Sequence, residues 1–577
     1  MEVQLRNQCD INIIEVASLE QDKDQPDDVE TTKVKRNKKK SITQHLLKCF
    51  DNFNLSSKEV NERERTPIEK IVWLIMFLLC FSYCGCLIWK SYWKWMKSPA
   101  IVLLTENADS IYKIPFPAVT VCPERKIKSS VFSFTQYNDL YENNKTYGNF
   151  TEKQLHMYQD MNLICDFDTK LEGQRFSLGN ETVSNIRKAS PELSSVILRC
   201  NWKGKGRWCQ KMFTPILTEE GVCYTFNTIG PEDLFQTDNL NTDYKYMYSL
   251  SRTRLNGWTP KEGYARDAPE TTYPERSIGA GAKAGLKLFL GEDVEGLDTA
   301  CMGMVSGFKI LLHHPTELPR LSQQYIRIPI YEEVTIAFTP KKIVTSNGLR
   351  VFPPDRRQCY FTGERNLKYF KLYTQSNCEF ECLTNFTYAR CGCVGFSMPH
   401  GPDMKICNIG SRNCSNNAEI ELYLLRVNSK LEPGSSNVTV EEAIQVANDC
   451  MCLSTCTSIS YESEISQLEL DTDQKHLTQI TSAIQLLVFN KYKRSKVSTV
   501  VIFFKRSQFD ISKRSELYST SDILASCGGL LGLFMGFSVI NVFETLYFCI
   551  LRAYRQRQIE AKNRVDSNED ECSVEKY

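Results

Sequence analysis

The chain lacks an excess of charge of either sign: 70 Lys and Arg stand against 69 Asp and Glu, a net of +1, with a pI near 7.3. That balance gives no reason to expect nucleic acid or a strongly acidic partner. Histidine is scarce, at six residues. None sits at ligand spacing among the cysteines, so Cys391-Gly-Cys393 and Cys450-Met-Cys452 read as disulfide cysteines rather than zinc ligands, and no metal or other cofactor is expected. No nucleophile–base constellation and no phosphate loop is present, which leaves an enzyme without support. No internal repeat is evident. A mean hydropathy of -0.34 is that of a soluble chain. The average conceals two runs that matter.

The first run, Ile71 to Trp89, is nineteen residues without a charge. The second, Ile523 to Leu551, contains one, Glu544. A span needs roughly 20 mostly apolar residues, so both qualify. Some 70 mostly polar residues precede the first run, which argues against a cleaved signal peptide. Lys33, Lys35, Arg36 and Lys38 to Lys40 come before span one, and Arg552, Arg555 and Arg557 follow span two. Lys/Arg excess marks the cytoplasmic side, so both termini are expected inside. The sequons at Asn144, Asn149, Asn180, Asn385, Asn413 and Asn437 all fall in the loop between the spans, as an extracellular loop requires. Asn54 also begins a sequon but lies in the cytoplasmic segment.

Cysteine is abundant where an oxidising compartment is expected. Of 24 cysteines, sixteen lie between the spans and ten of those between Cys359 and Cys456, which predicts a stapled lobe. The other eight read as free thiols. The loop mixes strand-like runs, VSTVVIFFK (497–505) and YIRIPIYEEVTIAF (325–338), with helical ones such as VEEAIQVAND, so an α+β ectodomain is expected. His313-His314 in FKILLHHPTELP reads as structural, in a strand-like segment. The acidic run GEDVEGLD (291–298) reads as a solvated loop, with proton or divalent-ion sensing as the sharper alternative. Residues 1 to about 60 read as a disordered tail whose basic run can touch anionic lipid.

The second span carries the chemistry. Gly528, Gly532 and Gly536 recur every four residues and share a helix face, a pattern that ordinary helix packing also explains. Glu544 is a charge within hydrocarbon, which costs about 2.5 to 3.5 kcal/mol and is normally turned to a bundle interior or a water path. Gly536-Phe537-Ser538 permits an opened backbone whose carbonyls and hydroxyl face an ion. One such span cannot enclose a pore, so this reading demands an oligomer with a ring of Glu544 carboxylates.

Several motifs resemble the degenerin/epithelial sodium channel family, most closely its insect pickpocket branch. They are Phe116-PAVTVCPE after span one, Gly221-VCYTFN, QSNCEFECLTN (375–385) followed by CGCVGFSMP, and LASCGGLLGLFMGFS with its Gly-x-Ser. The resemblance covers most of residues 40 to 550. It implies a trimeric channel in the plasma membrane: two transmembrane helices plus a large disulfide-rich α+β ectodomain of palm, β-ball, knuckle, finger and thumb. The implied divisions are 1–68 cytoplasmic, with a re-entrant loop near 41–50; 69–91 transmembrane; 92–520 extracellular, with the thumb at about 357–460; 521–551 transmembrane; and 552–577 cytoplasmic. Sodium conduction, amiloride sensitivity, gating through the ectodomain and a sensory or epithelial role are implied likewise, with homo- or heterotrimeric partners drawn from related subunits.

Carried over residue by residue, Gly536, Phe537 and Ser538 form the filter, Ala525, Ser526 and Gly529 the gate, and Glu544 the inner acid. The implied disulfides are Cys359–Cys456, Cys378–Cys452, Cys382–Cys450, Cys391–Cys414, Cys393–Cys407, Cys122–Cys223 and Cys200–Cys209. Cys165 and Cys301 are left over and pair by elimination. One departure stands out: the re-entrant loop of the family carries His-Gly, and here His45 is followed by Leu46. Leu does not readily take the positive φ open to Gly. Competing readings are a non-conducting or modulatory subunit of a heteromeric channel and a two-pass scavenger or adhesion receptor. An ATP-gated trimer would need a basic phosphate-binding cluster that is not evident.

Overall fold

The computed structural model describes residues 67–535, apart from 98–99, 106–107, 145–150, 166–180, 245–246, 248–256, 294–297, 299, 302–304, 432–440 and 471–494. It divides into two compact units: the two hydrophobic segments with their tails, and Trp95–Ser519 between them.

In the first unit the leading helix runs Pro67–Lys97. Proline suits the first helical position, where no N–H bond is lost. Among the described residues this is the one helix long and apolar enough to cross a membrane. Much of its apolar surface is exposed, with Ile71, Leu74, Ile75, Leu78 and Leu79 each more than half exposed. A water-soluble helix would hide such a surface; a lipid-facing one need not. The helix passes the expected end at residue 91 and reaches Lys97. Its 31 residues measure about 46 Å at 1.5 Å each.

The second unit is built on two sheets. The larger has eight strands in the order Ala100–Leu104, Ile511–Glu516, Glu332–Thr345, Ser495–Phe504, Leu286–Asp293, Ile197–Trp202 and Lys205–Arg207, with Ser458–Glu469 also paired to Glu332–Thr345. The smaller has five, ordered Ile326–Ile328, Phe308–His313, Ala118–Pro123, Gly221–Phe226 and Phe213–Thr218. One apolar core draws on both sheets. At its centre is Phe116, fully buried, with its ring edge-on to Trp202 at 4.8 Å, Phe338 at 5.3 Å and Phe504 at 5.6 Å. Edge-to-face aromatic pairs of this kind add about 0.5 to 1.5 kcal/mol each beyond burial. The Phe-Pro-Ala-Val-Thr-Val segment is therefore a core motif: all six residues of the Ala118–Pro123 strand are buried.

A second core gathers helices around the disulfides. The Gln375–Cys391 helix is capped by Thr374, whose side chain accepts the Asn377 N–H, and ends on Gly392 in the left-handed region. Its Cys378 and Cys382, one turn apart, bond to Cys452 and Cys450. Cys391–Cys414, Cys393–Cys407 and Cys359–Cys456 complete this lobe. Cys122–Cys223, Cys200–Cys209 and Cys165–Cys301 lie outside it. These are the seven pairs implied by the resemblance and the one reached by elimination.

Two readings of the loop need correction. The 325–338 run is two strands: it breaks after Ile328 at Pro329, and Tyr331 has a positive φ of 64°. The chain crosses there from the smaller sheet to the larger, which no alternation pattern reveals. The acidic run is not a solvated loop at its described positions. Glu292 lies on the Leu286–Asp293 strand and is 4% exposed, and Asp298 is 3% exposed. The Asp298 carboxylate accepts the Thr135 N–H at 3.0 Å and its hydroxyl at 2.6 Å.

Candidate pore site

The helix of the second hydrophobic segment begins at Thr520, carries Asp522 in its first turn and is described to Met535. An acid there faces the positive end of the helix dipole. Along the helix the less exposed positions are Ile523, Cys527, Leu530, Leu531, Gly532 and Phe534; all but Gly532 fall on one side at 3.6 residues per turn. Phe534 on that side meets Tyr83 of the first helix, ring centroids 5.5 Å apart and edge-on. The opposite side carries Ala525, Gly529 and Gly532, all small. Ala525, Ser526, Gly528 and Gly529 are exposed, and a methyl group added to Gly528 or Gly529 would meet no atom within 4 Å. The two helices therefore touch through larger residues, while the small-residue stripe is turned away from that contact.

The structure thus brings Ala525, Ser526 and Gly529 together on adjoining turns of one helix. Gly536, Phe537, Ser538, Glu544 and His45 lie outside the described residues, as do Asn149, Asn180 and Asn437. Asn144 ends the Phe134–Asn144 helix. Asn385 is half-buried on the Gln375–Cys391 helix, and Asn413 is exposed near the start of Arg412–Leu431. Among the described residues no cluster of His, Cys, Asp and Glu is arranged to hold a metal.

Polar residues in and beside the motifs act as connectors. Asn227, at a positive φ of 63°, donates from Nδ2 to the Phe116 carbonyl at 2.6 Å and to that of Glu275 at 3.0 Å, and accepts the Glu275 N–H. Asn377 donates to the Thr316 carbonyl and accepts the Leu318 N–H, tying the Gln375–Cys391 helix to the turn after Phe308–His313. His313 is buried and bonded to Thr120 Oγ1 at 2.9 Å. Burial lowers both His313 and His314 to about 4, so both are neutral at physiological pH, in keeping with a structural role.

Sequence reasoning missed the buried ions. Lys126 pairs with Glu220, which also accepts from Lys309 at 2.6 Å; Lys309 and Arg327 flank Glu124. Burial lowers the Lys126 ammonium against the pull of Glu220. Burial works to raise Glu220, but Lys126 and Lys309 hold it below the ordinary carboxylate range. These residues come from strand ends nearly 200 positions apart, so no local signal could have found them.

A profile of the family described as amiloride-sensitive sodium channel matches residues 56–548. The chain belongs to that family. Pickpocket protein 28 of Drosophila melanogaster is 26% identical over 86% of this chain and 76% of its own length. The human bile acid-sensitive ion channel is 23% identical over 85% and 83%, and mouse acid-sensing ion channel 2 is 22% identical over 79% and 77%. Within the degenerin/epithelial sodium channel family the chain falls on the insect pickpocket branch. Membership makes it a cation channel subunit of the plasma membrane, with two membrane segments, a large disulfide-rich ectodomain and a multimeric assembly. The family consists of ion channels rather than enzymes.

Proposed function

We propose that the chain is one of three subunits around a sodium-selective, amiloride-sensitive pore, with both termini in the cytoplasm and opening controlled through the ectodomain. The observation that supports this most is the small-residue stripe of Ala525, Gly529 and Gly532, turned away from the Tyr83–Phe534 contact, with Ala525 and Gly529 exposed and Gly532 half-buried. A single copy leaves that stripe uncovered, and copies placed around an axis would close it. Gly536, Phe537 and Ser538 then select the ion, Glu544 supplies an inner ring of carboxylates, and Ala525, Ser526 and Gly529 form the constriction. Sodium is the permeant ion rather than a cofactor.

Ala525→Val tests the reading. A bulkier residue at the constriction is expected to hold the pore open, so the surface-expressed variant should give a sustained cation current that changes selectivity with Ser538 or Glu544. No current from surface-expressed Ala525→Val would overturn conduction by this chain alone. His45-Leu46 favours one second reading, that of a modulatory subunit in a heteromer, for which current would appear only with a related subunit co-expressed.

A further inference from the structure

The outer end of the first helix has a composition its membrane role does not require. From Trp89 the sequence reads WKSYWK. Trp89, Tyr92 and Trp93 are 63%, 44% and 56% exposed, and Lys90 and Lys94 are exposed beside them. The Trp89 ring lies 6.0 Å from Trp93 and 6.3 Å from Tyr92. The covered side of this stretch is Cys84, Leu87, Ile88 and Ser91. Trp89, Lys90 and Trp93 face away from it, with Lys94 at the margin, one turn beyond Lys90.

Three observations bear on what meets this face. The helix measures about 46 Å against a hydrocarbon thickness of about 30 Å, so its last turns lie at headgroup depth. The face continues the lipid-exposed surface of Ile71 to Leu79 without a break. Lysines usually flank a span on its cytoplasmic side, whereas these two sit at the other end of the helix, so the positive-inside rule does not explain them. Tryptophan and tyrosine settle at the interface because one edge is apolar and the other polar, and lysine stems reach outward along such rings to place the ammonium among phosphates.

We infer that Trp89, Lys90, Trp93 and Lys94 form a binding site for the phosphate headgroups of outer-leaflet phospholipids. The rings hold the glycerol and acyl region while the two ammonium groups take the phosphate. The inference rests on the orientation proposed above, with the loop outside. Each lysine near a charged membrane surface is worth about 1 kcal/mol, or about fivefold in affinity.

The test uses the full-length protein. In native mass spectrometry with phosphatidylglycerol and a phosphate-free galactosyl diacylglycerol added in turn, the wild type should retain the phospholipid preferentially. K90Q/K94Q should lose about twenty-fold in that preference while still binding the galactolipid, and W89L/W93L should weaken both lipids. Equal preference in K90Q/K94Q and wild type overturns the proposal, as does displacement of the phospholipid by millimolar inorganic phosphate, which would mark a free-anion site. A photoactivatable phosphatidylglycerol is also inserted from either side of sealed membranes. Labelling of residues 89–94 from the outer leaflet supports both site and orientation. Labelling from the cytoplasmic leaflet alone overturns the outer-leaflet assignment through the orientation, while the lysine-dependent retention still stands. No labelling from either side overturns the site itself.

Discussion

The unit spanning Trp95–Ser519 and the unit holding the two membrane segments use cysteine in opposite ways. All sixteen cysteines of the first are bonded, in eight pairs. In the second, Cys80, Cys84, Cys86 and Cys527 are free among the described residues. Outside the membrane, an irregular chain of some 400 residues must be restrained against an unfolded state in water. Within the membrane, the helix already satisfies its own backbone and lipid takes the place of a packed core, so a thiol there serves only as a small apolar group. One residue type thus reports which solvent each part of the chain was built for.

That contrast can be broken most strongly at Cys359–Cys456, which closes 97 residues at the base of the stapled lobe. Chain-entropy arguments give about 4 to 5 kcal/mol for a loop of this size. C359S/C456S should therefore abolish most surface delivery, measured by surface biotinylation; normal delivery would show that the ectodomain does not depend on the staple.

A smaller effect is expected at Glu317, where stability is set by protons rather than by a bond. Burial raises its carboxyl to about 7, against the pull of the His314 N–H. The native state then holds a proton that the unfolded state releases above about 4.5, so this contribution is present at low pH and is lost as pH rises through 7. His313 and His314, lowered to about 4 by burial, act in the other direction and remove stability as pH falls from 6.5 to 4. E317Q mimics the protonated acid and should stabilise the protein by about 1 to 2 kcal/mol at pH 8 and not at pH 4.5. Melting curves at the two pH values decide it. A gain of the same size at both would show that Glu317 does not titrate in that window.

The least effect is expected in the membrane unit. C84A removes a thiol that is buried but bonded to nothing, and should change thermal stability by about 1 kcal/mol or less. A loss as large as that of C359S/C456S would mean that the contrast between the two units is wrong.

What the sequence disclosed followed the same division. The first helix, VEEAIQVAND at Glu441–Asp449 and the strand Ser495–Phe504 are local patterns, and the structure has them. The bridges were reached through the resemblance, and Cys165–Cys301 by elimination. Failures came where a distant residue decides the environment. Glu292 and Asp298 read as solvated because their neighbours in sequence are polar, yet Thr135, 163 positions away, takes Asp298 into the interior. Pro329 and Tyr331 split one hydrophobic run between two sheets. Of the pore, the small residues from Ala525 to Gly532 can be placed on their helix. The filter and Glu544 stand on the sequence and the resemblance, since both lie outside the described residues.

The pairing of Ala100–Leu104 with Ile511–Glu516 has a consequence for synthesis. Ala100 lies opposite Glu516 and Leu104 opposite Ser512, so the first strand of the ectodomain meets its partner only after more than four hundred further residues have been made. At about 5 to 20 residues per second, that wait is roughly 20 to 80 seconds. Val102, Leu103 and Leu104, each at least half exposed even in the finished fold, spend that time without the strand beside them. Short-range bridges such as Cys200–Cys209 are available for closure early in that interval, whereas the sheet edge is completed last.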